Sequence, residues 1–180
     1  MGHGVPQKPK EAFKWLQFAA ELGHPVALHN IGHMYYNGSG VKQDKQKAAA
    51  WWQIGADQGD ALLQTTLAGM YFEGDGVPQD YVKAVSLSTK AAFQGNPWAM
   101  YNLGISYALG CGASKNPVQA YAWQALAAAR GIEVAVVSLK EIAGEMSRAQ
   151  IKEGRKLSQT YAKKIRRQTS AAAKPFCPMV

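Results

Sequence analysis

The chain has 180 residues, 47% of them hydrophobic and 18% charged, and a formal net charge of +8. That length allows one continuous core across several stacked units. No apolar run reaches the roughly 18 residues that a membrane-spanning helix needs, so none is expected, and no apolar segment follows Met1-Gly2-His3-Gly4-Val5, so no signal peptide is read here.

Taken in order, the chain is a repeat. Gly2-His3-Gly4-Val5 is followed by Gly38-Ser39-Gly40-Val41, by Gly74-Asp75-Gly76-Val77 and by a decayed Gly110-Cys111-Gly112-Ala113, each 36 residues after the last. Other columns keep the same register: Ala12, Ala48, Ala84 and Ala120; Ala20, Ala56, Ala92 and Ala128; Gly23, Gly59, Gly95 and Gly131; Ile31, Leu67, Leu103 and Leu139. An aromatic column holds Tyr35, Tyr71 and Tyr107, and a bulky one Trp15, Trp51, Leu87 and Trp123. A fixed period of this size marks a solenoid, in which each unit buries its apolar face only against its neighbours.

The chain starts inside a unit, so the first helix of that unit is expected to be missing. That leaves two readings: a trimmed chain, or an end where Phe13, Trp15 and Phe18 dock on another chain, which would make a homo-oligomer. The next segment, Pro25 to Asn37, carries Ala27, Ile31 and Tyr35 at four-residue steps, the spacing of one helix face. Gly38 and Gly40 end that helix, and Asp44, with Asp80 and Asn116 in equivalent places, suits the N-cap of the next. The second helix carries Ala48, Trp51, Trp52 and Ala56, and Gly59 closes it. Small alanine columns permit close helix approach while Tyr and Trp fill the layers between. Trp98, after Pro97, is expected to pack between units.

After Gly131 the repeat decays. Val134 to Ala143 matches a first helix, but no glycine turn follows. Ser147 and Gln150 read as a capping box opening a last helix. One face of it holds Ile151, Gly154, Leu157, Ser158, Tyr161 and Ile165, and the other Lys152, Lys156, Lys163, Arg166 and Arg167. The fold class read is all-α: a right-handed α/α solenoid of about four 36-residue helix-turn-helix repeats with a C-terminal capping helix. Residues 1–144 form the solenoid, 145–168 the basic cap, and 169–180 a disordered tail.

The pattern Leu103-Gly104-x-x-Tyr107, then Gly-x-Gly-Val-x-x-Asp, Lys83-Ala84 and Ala91-Ala92-x-x-Gly95, resembles the SEL-one-like repeat. That family is an α-solenoid relative of the tetratricopeptide repeat, and the likeness runs from Gly2 to Gly144. It implies a non-catalytic scaffold or adaptor for protein–protein interaction, in roles such as cell-envelope assembly, host interaction or regulation. It leans towards an exported or periplasmic setting without fixing the compartment. Some members carry a disulfide in every repeat. This chain has only Cys111 and Cys177, so that framework is excluded, while a single bridge between the two stays open.

No residue pattern points to catalysis or a cofactor. His29 and His33 are spaced for metal chelation, but no thiol or carboxylate nearby completes a ligand set, so they are read as groove residues rather than a metal site. The Gly-x-Gly turns follow helices instead of strands, which makes them helix stops and not phosphate loops. Ser39-Gly40-Val41-Lys42 spells the nucleophile motif of β-lactam-acting enzymes, but its companion motifs are absent.

A partner is expected on the concave side, which the first helices line. With Ala27, Ile31 and Tyr35 turned inward, the outward stripe holds Asn30, His33 and Asn37, then Thr66, Gly69 and Glu73, then Asn102, Ile105 and Leu109, with His29, Thr65 and Tyr101 at its edge. The Asn30 and Asn102 amides are suited to a peptide backbone. The expected partner is a protein or peptide segment. The alternative is an adaptor held on an anionic membrane by the basic end. Residues 1–145 hold eleven Lys or Arg against eleven Asp or Glu, whereas residues 146–180 hold nine against one. Nucleic acid is the weaker reading of that charge, since the tail lacks tryptophan and Arg-Gly pairs.

Overall fold

The computed structural model describes residues 9–172, and within them every regular element is an α-helix. The chain divides into two compact units, one ending at Asp80 and one beginning at Tyr81. The first holds α1 (Pro9–Glu21), α2 (Pro25–Asn37), α3 (Lys45–Asp57) and α4 (Ala61–Glu73). The second holds α5 (Tyr81–Phe93), α6 (Pro97–Leu109), α7 (Pro117–Ala128), α8 (Glu133–Gly144) and α9 (Arg148–Ala172).

In the first unit α2 packs against α1 and α3, and α3 against α4. Its core is built by Leu28, Ile31, Trp52, Leu63 and Leu67, each at most 1% exposed. The expected inward face of α2 holds for Ala27 and Ile31, while Tyr35 is half-buried and meets Phe13 edge-on, with ring centroids 5.6 Å apart. Of the paired tryptophans it is Trp52, not Trp51, that is buried. Its indole N–H donates to the His29 carbonyl at 3.1 Å. Gly32 makes the room, because a side chain there would enter the indole. Two repeats on, Gly104 faces Gln124 in the same way, and the Gln124 amide donates to the Tyr101 carbonyl at 3.4 Å.

The two glycines of each turn do different work. Gly38, Gly74 and Gly110 adopt φ of 72°, 72° and 79° and cap their helices in the left-handed conformation. Gly76 and Gly112, the second glycines, also have positive φ, but in addition they lie against the start of the preceding second helix. A Cβ on Gly76 would fall 2.9 Å from the Lys45 carbonyl carbon, and one on Gly112 would enter the Tyr81 carbonyl. Asp44 and Asn116 cap the following helices by accepting from Lys47 N and Gln119 N.

In the second unit α6 packs against α5 and α7, and α7 packs against both α8 and α9. The capping box forms as expected: the Ser147 N–H donates to Gln150 Oε1 at 2.9 Å and the Gln150 N–H to Ser147 Oγ at 3.3 Å. Ile165 and Gly154 are buried on the inward face of α9. Tyr161 stacks on Trp123 at 4.4 Å and donates to Gln119 Oε1 at 2.6 Å. The cap thus packs on α7 within the second unit.

Three expectations are corrected. The last helix does not stop at residue 168 but continues to Ala172, so residues 169–172 are helical rather than disordered. Residues 173–180, with Cys177, lie outside the described residues, as do the readings on residues 1–8. Trp98 is 53% exposed and touches Tyr101 edge-on, instead of packing between repeats. Leu139 is half-buried, unlike its column partners Ile31, Leu67 and Leu103.

Candidate functional site

An open groove of about 240 Å³ lies in the first unit, lined by His33, Tyr36, Trp52, Thr66, Gly69, Met70, Glu73 and Asp75. Three elements and a turn build it. Helix α2 supplies His33 and Tyr36, three apart and hence on one face. Trp52 from α3 closes the base. One face of α4 supplies Thr66, Gly69, Met70 and Glu73, and the glycine turn after α4 supplies Asp75. Gly69 leaves the middle of the α4 wall bare, since a Cβ there would meet nothing within 4 Å.

The wall at Asp75 is fixed by charge. Lys45 Nζ donates to both carboxylate oxygens, at 2.7 and 2.9 Å, and the Tyr36 hydroxyl donates to Oδ2 at 2.7 Å. The Lys45 ammonium also sits 4.9 Å from the Tyr36 ring centroid. Contact with Lys45, and next with Tyr36, holds the Asp75 carboxyl below the ordinary aspartate range. The same hydrogen bonds raise the Lys45 ammonium and the Tyr36 phenol above theirs. The Lys45 and Asp75 side chains are 37% and 24% exposed, so water screens the pair and its worth is positional more than energetic.

On the opposite wall His33 Nε2 lies 3.2 Å from His29 Nε2. The His33 ring meets Trp52 edge-on at 5.1 Å. Burial, and secondarily His29, lowers the His33 imidazole below the ordinary histidine range. The groove therefore offers a neutral imidazole, a phenol already engaged with a carboxylate, and the exposed carboxylate of Glu73. This chemistry belongs to one repeat. Two repeats on, the positions of His33, Tyr36 and Trp52 are taken by Ile105, Ala108 and Gln124.

Of the residues anticipated from sequence, His33, Thr66, Gly69 and Glu73 meet in this groove, and His29 joins through His33. Asn30, half-buried, and Asn37, exposed, lie on α2 outside the lining. Tyr101, Asn102 and Ile105 are half-buried on α6 of the second unit. Sequence reasoning missed Tyr36, Trp52, Met70 and Asp75. Only Asp75 carried a signal, as an acid at the centre of a glycine turn where the other copies hold Ser39 and Cys111. Among the described residues no group of three or more His, Cys, Asp or Glu side chains is placed to hold a metal ion.

The Sel1 repeat family model matches residues 1–24, 25–60, 64–96 and 99–132. Among solved structures, a Sel1 repeat protein from Oxalobacter formigenes is 38% identical with a TM-score of 0.70, over 77% of this chain and 40% of its own. A protective antigen present in uropathogenic Escherichia coli strains, displaying an SLR fold, is 26% identical with a TM-score of 0.83, over 99% of this chain and 39% of its own. This chain thus spans about two fifths of the length of each. No curated protein matches it. Repeat matches over most of the chain, and helices that superpose on both structures, place it plainly: the chain belongs to the Sel1 repeat family of all-helical solenoids, whose members generally act as protein–protein interaction scaffolds.

Proposed function

We propose that this protein is a non-catalytic adaptor whose first-unit groove holds a partner segment bearing a basic side chain. The observation that carries this reading is the bare patch at Gly69, set between the exposed Glu73 carboxylate and the His33–Tyr36 face. A peptide side chain can enter there without displacing protein atoms. Glu73 then attracts a lysine or arginine, and the half-buried Tyr36 ring supplies apolar contact. Asn30 and Asn102 remain proposed as backbone-holding amides on their own helices.

The test fills the groove. Peptides selected from a random library on the full chain are measured against Gly69→Tyr and Glu73→Lys. Gly69→Tyr is expected to weaken binding by about tenfold or more while melting is unchanged or slightly raised, because Gly is a poor helix former and the added side chain enters open space. Selected peptides should be rich in Lys or Arg and lose affinity for Glu73→Lys. Peptides that bind both variants as tightly as the parent would move the site elsewhere.

A second reading is supported by α9, whose Lys152, Lys156, Lys163, Arg166 and Arg167 are all exposed. Such a face suits an anionic membrane surface.

A further inference from the structure

The histidine pair on α2 has a geometry that the peptide reading does not use. His29 and His33 stand one turn apart, and their Nε2 atoms are separated by 3.2 Å. Two zinc–nitrogen bonds of about 2.0–2.1 Å meeting near the tetrahedral angle put their nitrogens about 3.3 Å apart. The pair thus already has the bite of a single ion. It is also held in place. Trp52 donates its indole N–H to the His29 carbonyl at 3.1 Å, fixing the backbone that carries the first imidazole. The same ring packs edge-on against the second imidazole at 5.1 Å. Gly32, between the two histidines, admits the indole that does both. Both histidines are only half-buried, and His33 opens onto the groove.

We propose that His29 and His33 form a two-point site for a borderline divalent transition ion, zinc or copper, whose other positions are left to water or to a ligand in the groove. Imidazole nitrogen is a ligand for both ions, and two protein ligands leave an open, exchangeable site instead of a closed structural one. The balance is simple. In the free protein one ring donates Nε2–H to the other. On binding, that ring carries its proton on Nδ1, both Nε2 lone pairs face the ion, and two waters leave the ion. No net proton is lost. The proposal stands apart from the peptide reading, since the ion alone is the probe.

The experiment is calorimetric titration of the full, untagged chain with zinc chloride. His29→Gln and His33→Gln are compared with a His3→Gln/His24→Gln control, and circular dichroism verifies helix content. One ion per chain is expected. Each single variant should weaken binding by about tenfold or more, since losing a direct ligand costs at least what losing an outer-shell partner does. The control should bind like the parent, and saturating ion should raise the melting temperature of parent and control but not of the single variants. No binding by the parent, or equal affinity in parent, His29→Gln and His33→Gln, would overturn the proposal.

Discussion

The glycines between helices show how much one missing methyl group decides. Gly59, Gly76 and Gly112 have φ of 92°, 77° and 74°, so an alanine at any of them is conformationally strained. Their surroundings differ. A Cβ on Gly59 meets nothing within 4 Å, one on Gly76 lands 2.5 Å from Lys45 Cβ, and one on Gly112 enters the Tyr81 backbone. Gly59→Ala should therefore cost about 1 kcal/mol, the strain alone. Gly76→Ala and Gly112→Ala add overpacking against backbone that cannot swing aside, for about 2–4 kcal/mol in all. Urea denaturation of the three variants measures this directly, and equal losses would mean that only the dihedral matters. The need for positive φ was legible in sequence, because a glycine ended each helical pattern. The contact with the preceding helix was not, because Lys45 and Tyr81 lie 31 residues before Gly76 and Gly112 and only the folded repeat brings them together.

At the scale of elements, α9 is a lid on the second unit, and its aromatic seam carries the load. Tyr161 lies between Trp123 at 4.4 Å and Phe93 at 5.8 Å, and Lys164 covers Phe93 at 4.2 Å. Gly154 lets the helix approach Tyr121, whose Cδ1 would stand 2.7 Å from any added Cβ. Tyr161→Ala removes both ring contacts and the Gln119 hydrogen bond, and should cost about 2–4 kcal/mol. Tyr161→Phe removes only the hydrogen bond, for about 1 kcal/mol. If the two variants melt alike, the stack contributes nothing and the lid is held by Ile165 and its neighbours. The start and inward face of this helix were readable from the capping box and the apolar spacing. Its end was not. Thr169-Ser170-Ala171-Ala172 looks like a low-complexity tail, yet alanine is the best helix former, and Thr169 Oγ1 turns back to the Ile165 carbonyl at 3.1 Å instead of leaving the helix. Trp98 misled for a related reason. It occupies the column of Val26, Leu62 and Val134, whose members are 62%, 51% and 47% exposed, so bulk there is not a sign of burial.

At the scale of the molecule, projecting one helix face found half of the groove. His33, Thr66 and Glu73 share that face from repeat to repeat, whereas Trp52 and Asp75 arrive from a second helix and a turn, which a single-stripe projection cannot see. Charge was read more completely, because it needs no contacts. The excess of nine basic residues over one acid after residue 145 falls largely on α9. At 3.6 residues per turn, Arg148, Lys152, Arg155, Lys156, Lys163, Arg166 and Arg167 fall within about 120° of its circumference, opposite the buried Ile165 and Gly154. Arg155 is engaged with the Tyr121 hydroxyl at 3.3 Å, so the outward stripe is carried by the others. Each cation close to an anionic bilayer contributes about 1 kcal/mol, over a range set by a Debye length of about 8 Å at physiological salt. The chain should therefore co-sediment with phosphatidylserine vesicles at low salt, stay in the supernatant with phosphatidylcholine alone, and be released by about 0.5 M salt. Lys152→Glu/Lys156→Glu/Lys163→Glu/Arg167→Glu should abolish sedimentation with helix content unchanged, because these side chains point away from the seam with Trp123. Sedimentation that survives both the salt and the four reversals would come from exposed apolar groups such as Trp15 and Phe18, 77% and 61% exposed, and would remove the membrane role from the basic helix.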